Sequence, residues 1–227
     1  SGSMGGLESD TIGGFNGMLE KQKKQEGEAN VTTVLFDDRI ETVHDRFDIQ
    51  IVKPLTEEDY YVRGCTALLD AVGNTISRMV NIQKRLPEEY RAEKVIFVIT
   101  TDGLENASRK YSYGKVKDMI SREKEKYGWE FIFLGANMDA VEEAGKMGIC
   151  EERAVSFHND SEGIALNYET VEAALCCMRS AAPGAAPMGA GWKQKIEKDY
   201  KTRGRGKDNG KGKLFGRLGH QGGPQRT

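Results

Sequence analysis

Cysteine, histidine and long apolar runs are all scarce in this sequence, and each scarcity removes a class of function. The four cysteines, Cys65, Cys150, Cys176 and Cys177, make no C-x-x-C pair and no zinc-ligand spacing with the three histidines. A disulfide framework and a structural zinc site are therefore not expected, and a reduced, cytoplasmic setting is the simplest one. Cys176 and Cys177 fall inside a helical apolar pattern and read as packing residues. No run approaches the roughly 18 apolar residues that a membrane helix needs, and no signal peptide is recognisable, so no membrane partner is expected. There is no G-x-x-x-x-G-K-[ST] stretch, which leaves nucleotide hydrolysis without support.

What is present is enough chain for one α/β domain and a tail. The 227 residues carry 33 basic and 35 acidic side chains, nearly balanced but unevenly spread. Trp192–Thr227 has a net charge of +8 and the remainder −10, so the body is acidic and the tail basic.

Apolar residues Leu7, Ile12, Phe15, Met18 and Leu19 recur at helical spacing, interrupted by glycines that permit a close backbone approach. Val31–Phe36 reads as a strand, Asp37-Asp38 as a tight turn and Arg39–His44 as the antiparallel return. Ile49–Val52 reads as a brief extended piece. Leu68, Leu69, Val72, Ile76, Met79 and Val80 form the stripe of a long helix that Pro87 follows. Val95–Ile99 is an unbroken apolar run, β-branched apart from Phe97, as in a strand buried on both faces of a parallel sheet. Beyond it come a helix over Lys115–Lys126, a strand over Phe131–Leu134, a helix over Asp139–Met147, a strand over Ala154–Phe157 and a helix over Ser161–Ser180. Alternating strands and helices predict a doubly wound, Rossmann-like α/β sandwich with a mostly parallel central sheet. The expected division is a body over 1–180, a linker with a short helix over 181–200, and a basic, Gly-rich disordered tail over 201–227.

Three short pieces carry the chemistry: Ser1-Gly2-Ser3 leading into the first helix, Gly64-Cys65-Thr66 at the head of another, and Thr101-Asp102-Gly103 after the apolar strand. Hydroxyls and a carboxylate are hard oxygen ligands suited to Mg²⁺ or Mn²⁺, and open α/β sheets bind ligands beyond the carboxyl ends of their strands. In these pieces the chain resembles the von Willebrand factor A (vWA) family, in particular its stand-alone bacterial cytoplasmic members. That family's metal-ion-dependent adhesion site is written Asp-x-Ser-x-Ser, then Thr, then Asp. Ser1 and Ser3 match the serines, Thr66 the threonine and Asp102 the last acid. The resemblance covers Ser1 to about Ser180 and implies a metal-dependent protein-binding module, not an enzyme, that holds Mg²⁺ or Mn²⁺ weakly and accepts an acidic side chain from a protein partner. It also implies that the family's first strand, with the first Asp at its end, is missing between the Val31 and Val95 strands. A Ser1-Gly2-Ser3 leader foreign to the protein, ahead of Met4, is the rival reading of that start.

Two other functions compete. The basic tail, with Arg203-Gly204-Arg205-Gly206-Lys207, suits association with nucleic acid through phosphate charge, leaving the body structural. Ser1-Gly2-Ser3-Met4-Gly5 resembles a nucleophile elbow that would enlist His158 or His44, although no strand precedes it.

Overall fold

The computed structural model describes residues 5–60, 62, 64–182 and 188–208, with side chains through 204. It is a mixed α/β fold in which a small parallel sheet is flanked by helices. Helix α1 spans Glu8–Lys23, followed by the hairpin of β1 (Asn30–Phe36) and β2 (Ile40–Asp48). Helix α2 (Leu68–Arg85) leads to β3 (Ile96–Thr101), α3 (Tyr113–Tyr127), β4 (Glu130–Ala136), α4 (Ala140–Lys146), β5 (Ala154–Phe157), α5 (Ser161–Ser180) and α6 (Gln194–Asp208).

Among the described residues the strands form two sheets. β1 pairs with β2 antiparallel, and β3-β4-β5 pair in parallel in that order. β4 is the central strand of the parallel sheet, buried from Phe131 to Ala136. Its alternate side chains feed two cores. Phe131 and Phe133 join Val95 and Ile99 against Leu68, Val72 and Ile76 of α2 and Val116 and Ile120 of α3. On the opposite face Ile132, Leu134 and Ala136 join Val155 and Phe157 against Ile164, Val171 and Ala174 of α5. The period-2 alternation of a sheet covered on both faces produces this division.

Helix α1 lies beside α5 and parallel to it. Ser161 Oγ donates to Asp10 at their heads (2.5 Å), and Arg179 Nη1 donates to the Gln22 carbonyl at their far ends (2.8 Å). Gly14 of α1 allows this pairing. A Cβ on Gly14 would stand 2.2 Å from the Tyr168 ring, so only a residue without one lets the helices approach.

Three expectations are corrected. The Val95–Ile99 run was expected to be buried on both faces, yet β3 is an edge strand and Val98 is 37% exposed. Ile49–Val52 is a turn instead of an extended piece. Ile49 N–H donates to the Ala29 carbonyl at 2.9 Å, and Ile49 and Val52 are buried beside Leu19, so these apolar residues plug the end of the hairpin without a strand partner. Finally, α6 continues to Asp208, eight residues into the stretch expected to be disordered. Arg203 holds it there, pairing with Asp199 one turn earlier and with Asp160 at the head of α5. Such fixed charge pairs substitute for the apolar face that the composition lacks. Residues 209–227 of the expected tail lie outside the described residues.

Candidate functional site

The carboxyl end of β3 and the head of α2 meet in one loop system. Helix α2 begins after Ala67, which provides no side-chain cap, so its first N–H groups are satisfied from the loop after β3. Leu69 N–H donates to Glu105 Oε2 at 2.9 Å and Asp70 N–H to Ser108 Oγ at 2.9 Å. Glu105 Oε1 also accepts from the Ala107 and Ser108 N–H groups (2.9 and 2.7 Å). The traffic is mutual: the Asp70 carboxylate accepts from the Arg109, Lys110 and Tyr111 N–H groups at 2.8–2.9 Å. Burial alone would push the Asp70 carboxyl up, but these three donors together with the Lys110 charge hold it below the usual carboxylate range.

Within this frame Thr66 is buried and bracketed by Asn106. Thr66 N–H donates to Asn106 Oδ1 (2.9 Å), and Asn106 N–H returns a bond to the Thr66 carbonyl (3.1 Å). Asp102 stands four residues before Asn106, one step beyond β3 and half-buried. Thr101 Oγ1 donates to the Gly103 carbonyl at 2.9 Å, closing the tight turn that carries Asp102. Ala67, the residue after Thr66, donates its N–H to the Asp37 carbonyl just past β1 (2.6 Å), so β1 ends at the same place. The head of α1 reaches this end too: burial raises the Tyr60 phenol above its ordinary value, and the Asp102 and Glu8 charges add to the rise. The Thr11 hydroxyl opposes it, although that hydroxyl is buried and falls short of a full hydrogen bond.

Two of the four sequence-selected residues, Thr66 and Asp102, are therefore brought to one end of the fold. Ser1 and Ser3 lie outside the described residues. Among the described residues no three His, Cys, Asp or Glu side chains gather at metal-binding distance. The donor chemistry that Thr66 and Asp102 supply, one hydroxyl and one carboxylate, nevertheless fits a small hard cation that keeps several waters. Sequence reasoning missed Glu105, Asn106 and Tyr60. Their partners lie 36 to 40 positions away for the first two, a separation that leaves no local signature.

The two histidines considered as bases each make contacts within the fold. His44 is buried with Nδ1 2.9 Å from Thr33 Oγ1, and burial lowers its basicity. His158 Nε2 donates to the Tyr200 carbonyl (3.2 Å), and its ring lies against the Tyr200 ring, 4.6 Å between centroids.

No helix among the described residues is long and apolar enough to cross a membrane. Comparison with known protein families finds no match, and none is found among curated proteins. Among solved structures, the chain is similar to proximal thread matrix protein 1 from the mussel byssus, with a TM-score of 0.51 and 15% identity over 78% of this chain. The chain spans 44% of that protein, and at this identity the likeness speaks for the α/β fold alone.

Proposed function

We propose that this chain is a vWA-type sandwich that binds a protein partner through a divalent cation. The observation that carries the reading is the placement of Asp102 one step beyond β3, with Thr66 bracketed by Asn106 of the loop that follows. Thr66 and Asp102, with Ser1 and Ser3, would hold Mg²⁺ or Mn²⁺. The bound ion supplies attraction for a Glu or Asp of the partner, because hydroxyl ligands leave its charge underneutralised. The role of the protein is positional: the Glu105 and Asp70 clamps keep the Asp102 loop fixed against α2. A reduced cytoplasmic setting accords with the four cysteines, all of which carry free thiols. In α6, Arg203, one of the residues that the nucleic-acid alternative would use, is paired with Asp160 and Asp199.

The test is Mn²⁺ titration calorimetry on the parent, Thr66→Ala and Asp102→Ala. Weak binding by the parent, weaker binding by Thr66→Ala and none by Asp102→Ala is the expected order, since the last loses the charge. Binding by Asp102→Ala equal to that of the parent would refute the site.

A further inference from the structure

Helix α2 covers the β1–β2 hairpin unevenly. Its buried stripe, from Leu68 through Val72 and Ile76 to Val80, packs with β3 and β4, and Phe36 joins that core from the hairpin. The flank of α2 that faces the hairpin carries Asn74, Thr75 and Arg78 instead. Val34 pairs with Thr42 and Phe36 with Ile40, so all four side chains share one face of the hairpin. A β-branched sheet face set against a polar helix flank gains little by closing. What remains is an open groove of about 300 Å³, with Ile40 36% exposed beside Val34 and Thr42. That volume stands at the lower end of the roughly 300–1,000 Å³ of ligand clefts.

The charged and amide donors line the α2 side. Lys110 Nζ donates to Asn74 Oδ1 at 2.8 Å, which fixes the carboxamide and leaves its NH₂ as a donor. Arg78, one turn on, donates Nη2 to Asp45, but the two side chains are 51% and 42% exposed, so water screens the pair and the guanidinium is readily shared. Thr75 Oγ1 donates to the Ala71 carbonyl of its own helix (2.7 Å). Asp70, a turn before Asn74, is occupied by the Arg109, Lys110 and Tyr111 N–H groups. Arg109 and Lys110 themselves are exposed. On a body of net charge −10 this is a basic strip, and an acid is its complement. Asn74 and Arg78 stand about 6 Å apart along the helix axis, close to the roughly 6.6 Å between alternate residues of an extended chain.

We propose that the groove between α2 and the hairpin binds an extended acidic segment of a protein partner. Carboxylates at alternate positions meet Asn74, Arg78 and Lys110, and small β-branched side chains between them cover Val34 and Ile40. The groove opens beside the head of α2, where Thr66 is held, so a partner that gives an acid to the cation would run on into it. Naming the occupant as that same partner rests on the cation-site reading. The attraction itself needs no cation, so the groove is tested in chelator, where the two readings fail separately.

The probe is a fluorescein-labelled peptide of about eight residues in which Glu alternates with Val and Thr, titrated by anisotropy in excess chelator. Its controls are a copy with Lys in place of Glu and an oligothymidylate of equal length. The acidic peptide is expected to bind at least about tenfold more tightly than either control. Arg78→Ala should weaken it at least about fivefold, and Thr42→Trp, which fills the groove from an exposed strand position, should abolish it. Asp45→Ala should instead tighten it about twofold or more, because the competing carboxylate is gone. Arg78→Ala and Asp45→Ala break the same ion pair, so a merely structural role would move binding in one direction for both. The proposal is overturned if the peptide binds no better than its Lys copy, if Arg78→Ala leaves binding unchanged, if Asp45→Ala weakens it as Arg78→Ala does, or if Thr42→Trp has no effect. Tighter binding of the oligonucleotide also overturns it and assigns the groove to nucleic acid.

Discussion

Replacing Glu105 by Ala tests whether the loop after β3 is held by the head of α2. Four hydrogen bonds converge on this carboxylate, from the N–H groups of Leu69, Ala107 and Ser108 and from the Ser108 hydroxyl. Bonds to a charged acceptor contribute about 1.5–3 kcal/mol each, and the loss of a helix cap typically costs about 1 kcal/mol. The values do not add here, because Glu105 is half-exposed and water replaces part of what is lost. A net loss of about 2 kcal/mol is expected, equivalent in a domain of this size to a fall of about 4–8 °C in Tm. Glu105→Gln keeps one acceptor oxygen and should fall between the two. Glu125→Ala, on the exposed face of α3, should stay within about 0.5 kcal/mol of the parent. Urea melts with a common m-value give the comparison. If Glu105→Ala unfolds within about 0.5 kcal/mol of the parent, the carboxylate is not what fixes the loop, and the positional role assigned to it is wrong.

The legible parts of this fold are those written in short-range pattern. The stripe of α2, the apolar run of β4 and the hairpin turn at Asp37-Asp38 are local, and each forms where the periodicity places it. The site is legible only in part. Asp102 is visible because an acid after an apolar strand has a known place in an open sheet, and Thr66 because it opens a helix. Glu105 and Asn106 were not, since nothing near them in sequence shows that their acceptors face the head of α2. The error over β3 is of another kind: its composition describes a strand with two neighbours, whereas it pairs with one, β4. The helix beyond Lys201 escaped notice because its anchor is one arginine reaching Asp160, and composition weighs residues without regard to where their partners stand.

Two further expectations concern charge. Donors from the Arg109, Lys110 and Tyr111 backbone outweigh the opposing effect of burial and hold the Asp70 carboxyl low, so its contribution is present above its unfolded value of about 4 and fades as pH falls through the folded one. Asp70→Asn should therefore be less stable than the parent at pH 6, and the gap should close as pH drops below about 4; a gap that stays constant with pH would show that the carboxylate charge is not the source. The last expectation concerns where the folded chain stops. Arg203 Nε donates to both Asp199 oxygens (2.9 and 3.0 Å), and Nη1 to both Asp160 oxygens (2.8 and 2.7 Å). The Arg203 hydrogen bond is the chief reason that the Asp160 carboxyl lies below its ordinary value. The same Asp160 caps α5 through the Gly163 N–H, so one arginine fastens the end of α6 to the start of α5. A chain ending at Asp208 should melt with the parent, whereas one ending at Tyr200 should lose about 1 kcal/mol, the scale of a partly exposed bidentate pair. Arg203→Ala in the full chain should reproduce that loss, which separates the ion pair from simple shortening of the helix. If the chain ending at Tyr200 melts with the parent, the clamp contributes nothing and the folded body stops where composition alone would have ended it, near Lys201.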